Sequence, residues 1–245
     1  MIPVSVAIVT KDEEKNIREA IESVKDFEDI VVVDAFSTDH TVQICREYGA
    51  RVFQEEWKGY AKQKQAAVDL ANKEWVLILD ADERVTPELK REIIEGIGEK
   101  RYSGFYLPRK SFFLGRWMRH SGWWPDYILR LFRKDVASIE PREVHEKVVV
   151  DGPVGYLKGA LEHYTYRTIS DYVRKMENYS ALSAKELVNK KDTPLISMMV
   201  NPLFVFIKMF FLRQGFRDGI HGFILAGLYS FYTFLKYVKI WEKRL

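Results

Sequence analysis

Two hydrophobic periods alternate regularly through the first 80 residues, which leaves few folds open to the chain. Residues 4–9, 30–33 and 75–79 are short, almost continuous apolar runs rich in Val and Ile, which read as strands buried on both faces. Between them, Ile17, Ala20, Ile21 and Val24 recur at helical spacing, and residues 41–48 and 61–71 form two more helical stretches. A β–α–β alternation whose strands lack a polar face demands a mostly parallel sheet covered on both sides by helices. Ligands of such sheets bind beyond the carboxyl ends of the strands. Those ends carry Thr10-Lys11-Asp12-Glu13, then Asp34, then Asp80-Ala81-Asp82.

Beyond residue 104 the pattern changes to short strand-like pieces, Phe105-Tyr106-Leu107 and Leu129-Arg130-Leu131-Phe132, set among aromatic and basic loops. Thr168-Ile169-Ser170-Asp171 has the form of a capping box. It opens a helix with Ile169, Tyr172, Val173, Met176 and Tyr179 on one face, expected to pack on the sheet domain. The expected organisation is a catalytic domain over 1–167, with a ligand-binding half (1–100) and an acceptor half (101–167), followed by a helical extension over 168–245. A chain of 245 residues that is 47% hydrophobic can bury a core of that size. Its net charge of +3 gives little support for nucleic-acid binding. The basic character is local: residues 195–245 carry seven Lys or Arg against two acids, leaving the rest at about −2. The lone Cys45 cannot build a disulfide framework and reads as a buried thiol in a reducing cytoplasm. The N-terminus enters a strand at once, without the pattern of an export signal.

Asp80 and Asp82 are one residue apart at a strand end, and in an extended backbone alternate side chains share a face. Two carboxylates placed this way can converge on Mg²⁺ or Mn²⁺ bridging phosphate oxygens; the alternative is that they only terminate the strand. Haloacid-dehalogenase-type phosphatases place Thr or Val at the fifth position of such a motif, where this chain has Arg84. Neither a phosphate-cradling Gly-x-x-x-x-Gly-Lys-Ser/Thr loop nor Gly-x-Gly-x-x-Gly after the first strand is present.

Ile8-Val9-Thr10-Lys11-Asp12-Glu13-Glu14-Lys15-Asn16-Ile17, Val32-Val33-Asp34-Ala35-Phe36-Ser37-Thr38-Asp39 and Leu79-Asp80-Ala81-Asp82-Glu83 together resemble three successive signatures of family 2 glycosyltransferases. Gly122-Trp123-Trp124-Pro125-Asp126, Leu129-Arg130-Leu131-Phe132-Arg133, Val144-His145-Glu146 and His163 are similar to the subgroup containing the lipopolysaccharide core β-1,4-glucosyltransferases. The resemblance spans roughly residues 2–240. It implies a GT-A type α/β fold with a mostly parallel central sheet and a C-terminal helical extension, a divalent cation, and sugar transfer with inversion. It also implies that Thr10, Lys11, Glu13 and Asp34 line a nucleotide pocket, with Asp34 accepting a hydrogen bond from the base. Asp12 and His40 depart from the family's usual Asn and Gly.

Lys64 stands where the family often places a polar donor-site residue, and reads equally as part of a solvated helix face. Inversion needs a base for the acceptor hydroxyl. Asp126, beside Trp123, Trp124 and Pro125, is the first candidate and Glu146 the second; Asp126 reads otherwise as a cap on the next strand. His145 completes the metal shell, contacts the diphosphate or is structural, and His163 reads as a structural hydrogen-bonder. Arg130 and Arg133 are expected on the polar side of one strand, neutralising a diphosphate or facing solvent. The expected reaction moves a hexose, glucose from UDP-glucose, to a glycolipid or lipopolysaccharide core acceptor. A sugar nucleotidyltransferase, whose glycine-rich N-terminal loop is missing, and an inactive membrane-associated scaffold are the alternatives. Two uncharged apolar stretches, 193–207 and 219–235, flanked by basic residues, are expected to hold the protein peripherally on the cytoplasmic face of the plasma membrane. The alternative is a core helix pair or an interface of a homo-oligomer.

Overall fold

The computed structural model describes residues 1–140, 147–188 and 195–244. In chain order the elements begin β1 (Ile2–Thr10), α1 (Glu14–Glu22), β2 (Phe27–Asp34), α2 (Thr41–Glu47), β3 (Arg51–Gln54), α3 (Tyr60–Asp69) and β4 (Trp75–Asp80). They continue with β5 (Glu83–Val85), α4 (Pro87–Gly98), β6 (Gly104–Phe113), β7 (Arg116–Trp117), β8 (Asp126–Arg133), β9 (Ala137–Glu140), β10 (Lys147–Val150), β11 (Val154–Tyr156) and β12 (Leu161–Tyr166). Three helices close the chain, α5 (Ile169–Leu187), α6 (Leu195–Ile207) and α7 (Ile220–Glu242). Two compact units divide it differently from a cut at residue 167: residues 1–109 with 127–163, and residues 110–126 with 164–245.

The first unit is built on the sheet order β3-β2-β1-β4-β8-β6-β12-β5, with β11 also pairing β6. Strands β1 to β4 are mutually parallel, and β8 enters antiparallel to β4. The alternation along β1 explains why its strands had to be apolar throughout. Val4, Val6 and Ile8 join the layer of Ile17, Ala20 and Ile21 from α1, while Ala7 joins Ala61, Ala67 and Val68 from α3. Each Val or Ile among them that is removed from water contributes about 1.5–3 kcal/mol. β3, a short edge strand, has none of the continuous apolar character that marks its neighbours. Thr86 caps α4, accepting from the Leu89 backbone N–H at 3.2 Å, with Pro87 at the first helical position.

The second unit has its own core of Phe113, Met118, Tyr172, Met176, Met209, Leu225 and Ala226. The capping box at Thr168 is present in both directions. The face it presents differs from the one expected: Tyr172 and Met176 are buried, but Ile169 and Val173 are exposed. Within this unit α5 packs on α7 and sets Tyr172 against Phe113 and Tyr166, because the spacing of apolar residues fixes which face is inward without fixing its partner. Between α6 and α7 the chain makes a π-helical turn over residues 208–212 and a 3₁₀ turn over 215–218. Gly215 and Gly222 are required there, since a Cβ on Gly222 would lie 1.9 Å from the Gly215 carbonyl oxygen. The loop after β7 is fastened to this turn: Ser121 N donates to Arg213 O at 2.9 Å, and the His120 backbone N–H donates to Asp218 Oδ2 at 2.9 Å. His120 Nδ1 lies 3.0 Å from Asp218 Oδ1.

Candidate active site

The parallel register aligns the carboxyl ends of four strands in the first unit. Thr10 stands opposite Asp34, Asp34 opposite Gln54, and Val9 opposite Asp80. The loops after β1 and β2 are tied together above this row. Asp12 N donates to Ser37 Oγ at 2.8 Å, Thr38 N to Asp12 Oδ1 at 2.7 Å, and Glu13 N to Thr41 Oγ1 at 2.8 Å. Asp12 has φ of 52°, a left-handed conformation that Asp and Asn adopt more readily than other non-glycine residues. Its carboxylate serves as acceptor just as the amide oxygen of the family's usual Asn would. His40, the other departure, has its ring 3.0 Å from Glu14.

Asp34 is fully buried and accepts from Ser37 N at 2.8 Å and Gln54 Nε2 at 3.1 Å, with the Ser37 hydroxyl on its other oxygen. Thr10 is also buried, and its hydroxyl has no hydrogen-bond partner among the described residues. Lys11 is exposed, and Glu13 accepts from Asn16 Nδ2 at 2.7 Å.

The centre of charge is Asp80. Lys64 Nζ lies 2.8 Å from its Oδ1, and Arg130 binds its Oδ2. Lys64 therefore faces inward from α3, 5% exposed, and not towards solvent. Behind Asp80, the fully buried Glu83 accepts from the Asp80 backbone N–H at 3.0 Å and lies 3.6 Å from Arg130 and 3.8 Å from Arg109. Burial pushes the Asp80 carboxyl up, but the Arg130 guanidinium and Lys64 ammonium outweigh it and hold it well below the usual carboxylate range. Lys64, Arg130 and Arg109 thus gather around the carboxylates of Asp80 and Glu83.

β4 ends at Asp80, and Ala81 and Asp82 form a turn, so the alternation that would put both aspartates on one face stops there. Asp82 Oδ2 instead lies 3.4 Å from His163 Nε2, on β12. A carboxylate oxygen and an imidazole nitrogen are competent ligands for Mg²⁺ or Mn²⁺. No cluster of three or more His, Cys, Asp or Glu able to hold a metal occurs among the described residues. This pair fits a divalent cation only when a bound ligand supplies further oxygens.

Arg130 and Arg133 part company. Arg133 pairs with Glu74 at 3.2 Å and Asp135 at 2.8 Å, because three residues along a strand reverse the side-chain direction. Asp126 opens β8. Glu146 and His145 lie outside the described residues. Sequence reasoning missed Glu83 and Arg109, whose partners are distant in the chain, and treated His163 as structural; its signal was a histidine on a strand beside the Asp80 segment.

The profile described as "Glycosyl transferase family 2" matches residues 5–165, roughly two thirds of the chain. An uncharacterized glycosyltransferase of Rickettsia typhi is 32% identical over 99% of this chain and 88% of its own length. The lipopolysaccharide core biosynthesis glycosyltransferase LpsC of Rhizobium meliloti is 29% identical over 99% of this chain and 93% of its own. Among solved structures, TarS 1-349 of S. aureus in complex with UDP has a TM-score of 0.53 at 19% identity, covering 100% of this chain and 92% of that one. That likeness concerns the fold, which is of the GT-A kind expected. With its signatures, sheet and full-length relatives in agreement, this chain belongs to glycosyl transferase family 2.

Proposed function

We propose that the enzyme transfers a hexose, glucose from UDP-glucose, with inversion, to a glycolipid or lipopolysaccharide core acceptor. The observation that carries this reading is the Lys64–Asp80–Arg130 cluster at the carboxyl ends of β1, β2 and β4, beside the buried Asp34. The similarity to LpsC, a lipopolysaccharide core biosynthesis glycosyltransferase, supports the acceptor class, and UDP in the related fold of TarS supports the nucleotide.

In this reading Asp34 accepts a hydrogen bond from the uracil N–H, and Thr10, whose hydroxyl lacks a partner, contacts the nucleoside. Lys64 and Arg130 turn part of their charge from Asp80 to the incoming diphosphate, while Glu83 keeps Arg130 and Arg109 in place. Asp82 and His163 would hold a divalent cation, which when bound neutralises charge on the departing nucleotide. Asp126 takes the proton of the acceptor hydroxyl. The test is release of UDP across a panel of nucleotide sugars with Mg²⁺ or Mn²⁺. UDP-glucose should be turned over fastest, and excess EDTA should stop it. Turnover of no UDP-sugar, or full activity in EDTA, overturns the proposal.

A further inference from the structure

In the second unit, α6 carries its apolar residues outward. Ile196, Met199, Val200, Leu203, Phe204 and Ile207 share one helical face and are 39–77% exposed. Phe211 and Leu212 continue the strip on the π-helical turn, 55% and 68% exposed, and Ile220 and Phe223 carry it onto α7. Of the 23 large hydrophobic side chains exposed among the described residues, 14 fall between positions 196 and 241, a concentration that marks an interaction surface. Misdirected core does not explain it, because the inner face is already made by Pro202, Met209, Leu225 and Ala226, all buried. An apolar groove of about 380 Å³, lined by Met199, Pro202, Gly227, Phe231 and Phe234, opens between the two helices.

Charge selects the occupant. From residue 195 to 217 the chain has no Asp or Glu, and Lys208, Arg213 and Arg217 are its charged residues. A second copy docked across a two-fold axis would set these bases against their own counterparts. An anionic bilayer supplies both an apolar medium and the opposite charge. The protein does not span it by these helices, since no helix among the described residues is long and apolar enough to cross a membrane. α6, with 13 residues, is about 20 Å long against a hydrocarbon core of about 30 Å.

We infer that the strip formed by α6, the π-helical turn and the start of α7 lies in the interfacial layer of an anionic membrane, apolar side chains towards the acyl chains and Lys208, Arg213 and Arg217 among the lipid phosphates. This holds whichever sugar acceptor the enzyme uses. The test is flotation of the full chain with phosphatidylcholine vesicles containing about one third phosphatidylglycerol, with light scattering to read the oligomeric state. The wild type should float with these vesicles and stay behind with pure phosphatidylcholine. A Phe204→Asp/Leu212→Asp double variant should stay behind in both while releasing UDP from the donor at the wild-type rate. Lys208→Gln and Arg217→Gln, which leave the apolar strip intact, should each weaken vesicle binding about fivefold. A wild type that ignores anionic vesicles overturns the inference. So does a dimer that the double variant dissociates without any flotation, which would assign the strip to a second copy, and so does a double variant that floats as well as the wild type.

Discussion

Replacing Asp80 with Asn isolates the electrostatics of the site from its shape. The substitution keeps the volume, but the amide must turn its nitrogen towards either Lys64 Nζ or Arg130, setting donor against donor where two charge-assisted bonds stood. Removing one partner of a buried ion pair costs about 3–5 kcal/mol. Here Asp80 is 29% exposed and Arg130 retains Glu83 at 3.6 Å, so the lower end applies, about 3 kcal/mol. For a chain of this size that lowers Tm by about 6–12 °C. The pH dependence has a fixed sign. Because the folded-state carboxyl is held below its unfolded value of about 3.9, its stabilisation is complete above that pH and fades as pH falls through the lower folded value. Urea denaturation of wild type and Asp80→Asn should therefore show the same gap at pH 8 and pH 6, narrowing only below about pH 4. Equal midpoints at neutral pH, or a gap that widens on acidification, would refute the account.

Asp126→Asn should lower kcat by at least about 100-fold with donor affinity unchanged in calorimetry, and if Glu146→Gln abolishes turnover while Asp126→Asn does not, the base is misassigned. Asp82→Asn and His163→Ala should each weaken Mn²⁺ binding in the presence of UDP by about tenfold or more, read by electron paramagnetic resonance; unchanged affinity in both removes the pair from the metal site. Gly222→Ala, whose Cβ would sit 1.9 Å from the Gly215 carbonyl oxygen, should cost about 1–3 kcal/mol or more, measured by thermal denaturation. Gly227→Ala, with nothing within 4 Å, should instead be neutral or stabilise α7 by about 0.5–1 kcal/mol. Equal effects at the two glycines would contradict the packing described.

What could be read before folding was local. The apolar runs of β1, β2 and β4 announce buried strands because burial on both faces leaves no polar period, and the carboxyl-end rule then points to Thr10, Asp34 and Asp80 without any tertiary knowledge. The capping box at Thr168 is legible because its two hydrogen bonds lie within four residues. Glu83 was not, since a glutamate after a strand reads as surface, and its burial depends on Arg109 and Arg130, 26 and 47 positions away. The inward turn of Lys64 has the same origin: its partner is Asp80, on the next strand. The apolar nature of α6 was visible in the sequence, which left a membrane-facing stretch and a core helix pair both open, because periodicity reports a stripe and never what covers it.

The latch between His120 and Asp218 gives the second unit a schedule. Its two halves are made 98 residues apart, so at about 5–20 residues per second the loop after β7 waits roughly 5–20 seconds on the ribosome for its partner. During that wait Phe113 and Met118, fully buried at the end, have none of Met209, Leu225 or Ala226 to cover them. The first unit meets no such delay in β1 to β4, which are complete by residue 80. Vectorial synthesis thus leaves an apolar excursion hanging from a sheet that is already forming, a natural client for a chaperone that binds nascent chains until residue 226 emerges.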